Sequence, residues 1–361
     1  MKKLFNLLIF SSLIILAACK QTPSKPKTFS NPVFEPVLAD PAIIRHDGVY
    51  YVYGTQDYGQ WGDEFGTKVG PILSSTDLIE FKYETSLFTM ANRPMWGTAG
   101  AGLWAPDIVK IGDKFIVYYS LSKWGDPNPG IGVAVSDHPL GPWEDKGMLF
   151  TSETIGVNNS IDASVFISDE RVYMIWGSFR GLYGLELTSD GLALKDGENA
   201  FDKKIHIAGL DTSTNWNGAT YEAPYIIKKD NYYYMFVSSG TCCNGFNSTY
   251  NVRVARSVNP LGPYMDSNGQ SMLGTNRGHL VLQGSSFFKG PGHNAVFQDD
   301  NSDYYIIYHA YDTSADENYG NSPRRSLMID KLEFDEMGWP SVKGLIPSNS
   351  INEAPYIKKG N

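Results

Sequence analysis

Residues 40–55 read DPAIIRHDGVYYVYGT: a short apolar run, a His-Asp-Gly turn, and a second run dense in Tyr and Val. That is the pattern of a β-hairpin, two strands divided by a tight turn. The phrase returns as APDIVKIGDKFIVYYS from Ala105, DASVFISDERVYMIWGS from Asp162, EAPYIIKKDNYYYMFVSS from Glu222 and HNAVFQDDNSDYYIIYHAY from His293. Successive copies begin roughly 55–70 residues apart, a repeat of the propeller or array kind. Gly112-Asp113, Asp169-Glu170 and Lys229-Asp230-Asn231 supply the matching turns, and further strand-like segments follow at 132–136, 181–187 and 251–257. HPLGPW at 138–143 is echoed by NPLGPY at 259–264. The expectation is an all-β, five-bladed β-propeller over residues 31–361. A two-sheet sandwich is the competing all-β arrangement, but it gives no reason for five in-phase copies.

Radial repetition brings equivalent positions to one axis. The first residues of the copies are Asp40, Ala105, Asp162, Glu222 and His293, so three carboxylates and an imidazole are expected to converge from four blades. A lone Asp at a strand start is ordinarily a turn or cap residue; three acids in phase with a repeat are not accounted for in that way. Such a set suits glycosidic hydrolysis. One carboxyl protonates the leaving oxygen, a second activates water or attacks directly, and a third raises its neighbour's proton affinity. Spacing alone does not assign these parts. Asp107 shares a face with Ala105 and either lines the pocket, where it would meet substrate, or hydrogen-bonds loop backbone in a supporting role. His293, converging with carboxylates, marks a place for an axial cation. It would be hard and partly hydrated, calcium-like, since tetrahedral zinc would need more His or Cys ligands than the chain offers.

Long connections at 58–70, 89–102, 205–219, 241–250 and 312–325 carry Trp61, Trp96, Trp216, Tyr250 and Tyr319 among Gly, Asn and Asp. Loops of this kind on a rigid scaffold are where ligand recognition concentrates, although each Trp equally suits packing on its own blade. The net charge of −9 excludes the clustered Lys and Arg that nucleic-acid binding requires.

Met1-Lys2-Lys3 and the apolar run 4–16 form an export signal too short to span a bilayer. It ends in Leu16-Ala17-Ala18-Cys19, which resembles the bacterial lipobox. Residues 1–19 are then a lipoprotein signal, Cys19 the lipidated first residue, and 20–30 a flexible tether. The alternative is an ordinary secretory signal with an incidental cysteine. The expected location is the bacterial cell envelope, anchored by lipid to the outer membrane at its periplasmic or surface face. The remaining cysteines, Cys242 and Cys243, are either two free thiols or a strained ring between neighbours.

The blocks ADP at 39–41, LWAPDI at 103–108, SIDASVF at 160–166, EAPYI at 222–226 and GPGHNAVF at 290–297 together resemble glycoside hydrolase family 43 over nearly the whole mature chain. The resemblance implies a five-bladed propeller that hydrolyses arabinose- or xylose-containing glycans with inversion. By it Asp40 is the general base, Glu222 the general acid, and Asp162 the residue that tunes and orients the acid. Inversion implies base and acid carboxyls about 6.5–9.5 Å apart. His293 matches a histidine that holds a central calcium, largely through water, in arabinan-cleaving members. The stretch CCNGFNSTYNVRVARS from Cys242, with LWAPDI and GPGHN, is similar to endo-acting α-1,5-L-arabinanases. That likeness implies Cys242 and Cys243 beside the groove, and Trp104, Asn159 and Ser178 in contact with arabinose. Ala39 stands where those enzymes commonly have His, and Arg180 follows Phe179 where they tend to carry Trp. Both departures bear on substrate length and on interior versus end cleavage.

The expected protein is a monomeric endo-arabinanase. Its rivals are an exo-acting α-L-arabinofuranosidase or β-xylosidase of the same fold, and a non-catalytic glycan-binding lipoprotein. A purely structural propeller would leave the burial cost of the polar column unexplained.

Overall fold

The computed structural model describes residues 27–61, 66–210, 220–315 and 324–358. Five four-stranded antiparallel sheets follow one another along the chain, each a meander of consecutive strands. The first blade is Ala42–His46, Val49–Tyr53, Val69–Ser75 and Lys82–Phe88; the second is Gly102–Ile111, Lys114–Ser122, Gly130–Ser136 and Glu144–Thr151. The third is Ser164–Ser168, Arg171–Trp176, Leu182–Glu186 and Ile205–Ala208. The fourth is Glu222–Lys229, Tyr232–Ser239, Asn251–Ser257 and His279–Gln283; the fifth is Phe288–Gln298, Tyr304–Asp312, Ser326–Phe334 and Pro340–Val342. The innermost strands touch in cyclic order, the fifth against the first, so the sheets close into a five-bladed propeller. Among the described residues helix is confined to short pieces such as Ser152–Ile155 and Ala200–Lys203.

The repeated hairpins form because two-residue turns with positive φ match the twist of the strands they join. Asp47 and Gly48, at φ 48° and 79°, connect His46 to its partner Val49, and Asp169 and Glu170, at 49° and 62°, connect Ser168 to Arg171. The strand after each turn is apolar on both faces because it packs against two neighbouring blades. In Lys114–Ser122, Phe115, Val117 and Tyr119 join Tyr53, Ile72 and Leu103 in one cluster. Ile116 and Tyr118 enter the next cluster, with Val165, Met174 and Trp176. Each such side chain, fully buried, contributes about 1.5–3 kcal/mol. The clusters between blades are the core, and they hold the hub rigid.

The chain start seals the ring. Thr28–Phe29 pairs antiparallel with Asn352–Glu353, and Phe34 bridges to Leu327 in the fifth blade. The Asn31 side chain grips Ile329 twice, donating to its carbonyl and accepting from its amide at 2.9 Å each. Thr28 and Phe29, expected within the tether, are therefore part of the fold. The segment expected to be an export signal, with Cys19, lies outside the described residues, as do Trp216 and Tyr319.

Candidate active site

At the hub every inner strand carries the same backbone kink, just before its first residue or within it. Asp40, Ala105, Asp162, Ala223 and His293 all have left-handed φ, at 57°, 41°, 61°, 51° and 49°. This corrects one member of the sequence column: Ala223 holds the in-phase position of the fourth blade, and Glu222 stands one residue before it. Left-handed backbone is costly for residues with a Cβ and persists where surroundings over-determine it. Here the surroundings are a ring of hydrogen bonds. The end of each blade's second strand caps the kinked N–H of the next blade, at four of the five junctions. Thr55 Oγ1 accepts from Ala105 at 2.9 Å, Ser120 Oγ from Asp162 at 3.0 Å, Ser238 Oγ from His293 at 2.8 Å, and His309 Nδ1 from Asp40 at 3.1 Å.

The junction between third and fourth blades departs from this pattern. Ser178 stands where a cap is due, yet its hydroxyl donates to Glu222 Oε2 at 2.7 Å while accepting from Asn159 Nδ2 at 2.9 Å. The Ala223 N–H bonds the Asp162 carboxylate instead. The one-residue offset thus frees a serine to hold Glu222 and links Asp162 to the backbone beside it.

The two outer carboxylates of the set are prepared oppositely. Asp40 is buried, which alone would push its carboxyl up, but Arg325, with lesser help from His293 and His309, holds it well below the usual range. Arg325 Nη1 donates to Oδ1 at 3.0 Å and to Oδ2 at 3.3 Å, and Thr55 Oγ1 donates to Oδ2 at 2.5 Å. Glu222 is pushed up, chiefly by burial and further by Asp40, against hydrogen bonds from Tyr250 and Ser178 and the charge of Arg325. Asp162 is pushed well up by burial and by the charges of Glu222 and Asp40. Two buried carboxyls that repel each other cannot both ionise readily, so the pair retains a proton between them. One cleft therefore contains an ionised proton acceptor and a carboxyl pair able to give a proton up.

That cleft encloses about 1040 Å³. Asp40, Asp162, Glu222, Trp104, Asn159, Ser178, Cys242, Cys243 and His293, each expected from the sequence, all line it. Trp104 donates from Nε1 to Tyr58 Oη at 2.9 Å, and its ring lies 5.7 Å from the exposed Trp124. Cys242 and Cys243 are joined as a disulfide, and Arg180 belongs to the same wall. Asp107 is the exception. It is absent from the lining and accepts from the Val165 backbone N–H at 2.6 Å, so the substrate contact drawn for it is replaced by its supporting role between blades. Burial pushes its carboxyl up to about 7.

Arg325, His309 and Thr55 complete the site and were not singled out in the sequence; Tyr250, named there among the loop aromatics, joins them as a hydrogen-bond partner of Glu222. Thr55 and His309 end their repeats' second strands, in the register of Ser120, Ser178 and Ser238, so the repeat itself carried their signal. Arg325 is one of two arginines in a long connection and has no such mark.

Among the described residues no three His, Cys, Asp or Glu side chains are arranged to hold a metal. His293 is pushed down to about 4 by burial, so its imidazole is neutral and able to ligate. The next side chain, Asn294, is buried with both amide atoms unpartnered. One cleft-lining imidazole, with no cluster of His or Cys beside it among the described residues, fits a hydrated hard cation and not tetrahedral zinc.

The model of glycosyl hydrolases family 43 matches residues 29–340. An extracellular exo-α-(1→5)-L-arabinofuranosidase of Cellvibrio japonicus is 32% identical over 320 residues, covering 84% of this chain and 85% of the relative. An extracellular endo-α-(1→5)-L-arabinanase of Bacillus subtilis is also 32% identical, over 311 residues, covering 84% and 87%. The structure of Cellvibrio cellulosa α-L-arabinanase complexed with arabinohexaose superposes with a TM-score of 0.72 at 31% identity, covering 86% of this chain and 96% of that one.

Proposed function

Since this chain belongs to glycosyl hydrolases family 43, we propose that it hydrolyses α-1,5-L-arabinofuranosidic linkages of plant arabinan with inversion, cutting within the polymer. The observation that carries this reading is the opposite preparation of Asp40 and Glu222 across one cleft. Asp40, ionised beside Arg325, takes a proton from water as that water attacks the anomeric carbon. The glycosidic C–O bond breaks, and its oxygen receives the proton of Glu222. Asp40 ends protonated and Glu222 ionised, and exchange with solvent restores both. Asp162 keeps the Glu222 proton affinity high by repulsion and braces it through the Ala223 N–H. Trp104, Trp124 and Tyr58 offer flat apolar surface to sugar rings, and Asn159, Ser178 and the Cys242–Cys243 disulfide complete the walls.

Interior cleavage is supported by the name of the Bacillus subtilis relative, and the cleft, about 1040 Å³ and so at the upper end of the roughly 300–1,000 Å³ of small-ligand sites, has room for more than one sugar unit. The exo-acting reading draws support from the name of the Cellvibrio relative and from Arg180 in the cleft wall. Calcium is part of the proposal: His293 would hold it, with water completing its shell, and its charge would add positive potential beside Asp40. Export is supported by the word extracellular in the relatives' names. The lipid anchor at Cys19 and a monomeric state complete the reading.

Chromatography of early products from linear arabinan tests it. Endo action releases a spread of oligosaccharides and shortens the polymer at once; an exo enzyme yields one small product. Glu222→Gln should lower turnover about 10²–10⁴-fold with the fold intact. Retention of the wild-type rate by that variant would remove Glu222 from the mechanism and leave a glycan-binding role.

A further inference from the structure

The two oxygens of Glu222 are held differently. Oε2 accepts from Ser178, whose side chain is in the cleft wall. Oε1 accepts from Tyr250 Oη at 2.5 Å, and Tyr250 lies behind the cleft, 1% exposed and outside its lining. The tyrosine has little freedom. Its ring stacks on His309 with 6.0 Å between centroids at 12°, and packs against Gly292, where any Cβ would run into it.

The Tyr250 hydroxyl donates to Glu222 Oε1, and a chain of donors behind it favours that direction. The His293 N–H donates to Ser238 Oγ at 2.8 Å, and a backbone N–H cannot reverse. Ser238 Oγ keeps its one hydrogen to give and bonds the Tyr250 oxygen. With that hydrogen received, the Tyr250 hydrogen goes to Glu222, in line with the 2.5 Å bond from Oη to Oε1. In a neutral carboxyl the carbonyl oxygen accepts more strongly than the hydroxyl oxygen, so a fixed donor at Oε1 favours the proton on Oε2. Ser178 at Oε2 also holds an N–H, from Asn159, but stands in the cleft wall, where its hydroxyl can turn to substrate or solvent.

We propose that Tyr250 is a positioning residue that holds Glu222 and fixes Oε2, on the cleft side, as the oxygen that carries the catalytic proton. This rests on the reading of Glu222 as general acid. Hydrolysis then transfers hydrogen from Oε2 to the departing glycosidic oxygen as the C–O bond breaks, while Oε1 stays bonded to Tyr250 throughout and the negative charge left on Glu222 is received by that bond. The groups with charge or titratable protons that face Glu222 are Asp162, Asp40, Arg325 and Tyr250; among them Tyr250 and Arg325 favour its ionised form.

The experiment compares wild type and Tyr250→Phe on two substrates: linear arabinan, whose leaving group needs protonation, and a nitrophenyl α-1,5-arabino-oligosaccharide, whose leaving group does not. The variant should lose roughly 10–100-fold in kcat on arabinan with KM little changed, and less than about threefold on the aryl substrate. Loss of a hydrogen bond to the carboxylate should also move the alkaline limb of its kcat/KM profile to higher pH. Should Tyr250→Phe not fold, as read by its thermal midpoint, 3-fluorotyrosine placed at 250 keeps the shape, donates more strongly, and should move that limb to lower pH. Equal losses on both substrates with an unmoved limb would overturn the proposal. A wild-type protein that cleaves neither substrate, or a Glu222→Gln variant as active as wild type, would instead overturn the reading beneath it.

Discussion

Arg325 reaches both carboxylate oxygens of Asp40, at 3.0 Å and 3.3 Å, from the far end of the chain: one residue opens the first blade and the other precedes the third strand of the fifth. The pair therefore fastens the ring where it closes, as well as keeping Asp40 ionised. Removing one partner of a buried pair leaves a charge uncompensated, a cost of about 3–5 kcal/mol, whereas removing both is far milder. Arg325→Met should lower the thermal midpoint markedly, and Asp40→Asn combined with Arg325→Met should recover most of the loss. Additive losses in the double variant would show that Arg325 stabilises the fold through something other than Asp40.

Asp107 gives a pH dependence of stability separable from catalysis. Its carboxyl titrates near 7 in the folded protein against 3.8 in an unconstrained chain. Between those values the folded state holds a proton that the unfolded state has released, so stability falls as pH rises through that window. The difference of about 3 pH units corresponds to roughly 4 kcal/mol. Asp107→Asn, whose amide oxygen can still accept from the Val165 N–H, should flatten the decline. Thermal midpoints of both proteins at pH 5 and pH 8 check it; parallel declines would mean that Asp107 is already ionised in the folded state.

The blades were legible in the sequence because the repeats obey local rules: two-residue turns with residues that tolerate positive φ in the first four, a five-residue connection at 299–303 in the last, and strands apolar on both faces because both faces are buried. The convergence of Asp40, Asp162 and His293 followed from that periodicity. Glu222 was found for a reason that was one residue out. The in-phase position is Ala223, and the offset showed only when backbone conformations were compared around the hub. Asp107 kept two readings open because strand alternation gives a face and not a neighbour; its partner, the Val165 amide, belongs to another blade. Arg325 was illegible since no local rule distinguishes an arginine that turns into the hub from one that faces water.

Trp124 extends the aromatic wall beyond Trp104 and is 78% exposed, too open to support the fold. An aromatic face standing in solvent at the rim of a sugar-binding cleft contributes through stacking with the distal part of a bound chain. Trp124→Ala should leave the thermal midpoint unchanged and raise KM on long linear arabinan several-fold, with kcat and the cleavage of the shortest oligosaccharides unaffected. Equal KM changes across all chain lengths would place Trp124 beside the scissile bond instead.

Gly292 connects packing at the hub to the proton on Glu222. A Cβ there would collide with the Tyr250 ring, and the ring cannot retreat because it is stacked on His309, which itself holds the Asp40 N–H. Overpacking a buried site of this kind costs about 1–3 kcal/mol, and any displacement of Tyr250 lengthens its bond to Oε1. Gly292→Ala should therefore lower the thermal midpoint and also reproduce the leaving-group selectivity of Tyr250→Phe, losing far more rate on arabinan than on the nitrophenyl substrate. Gly112→Ala is a control that loses stability by another route. Its φ of 58° strains Ala, a strain Gly292 does not share, while nothing lies within 4 Å of the added Cβ, and the turn is at the opposite end of its strand from the hub. That variant should lose stability and keep both rates. If Gly292→Ala lost stability alone, the Tyr250 ring would have to move without disturbing Glu222, and the link from packing to acid catalysis would be broken at that contact.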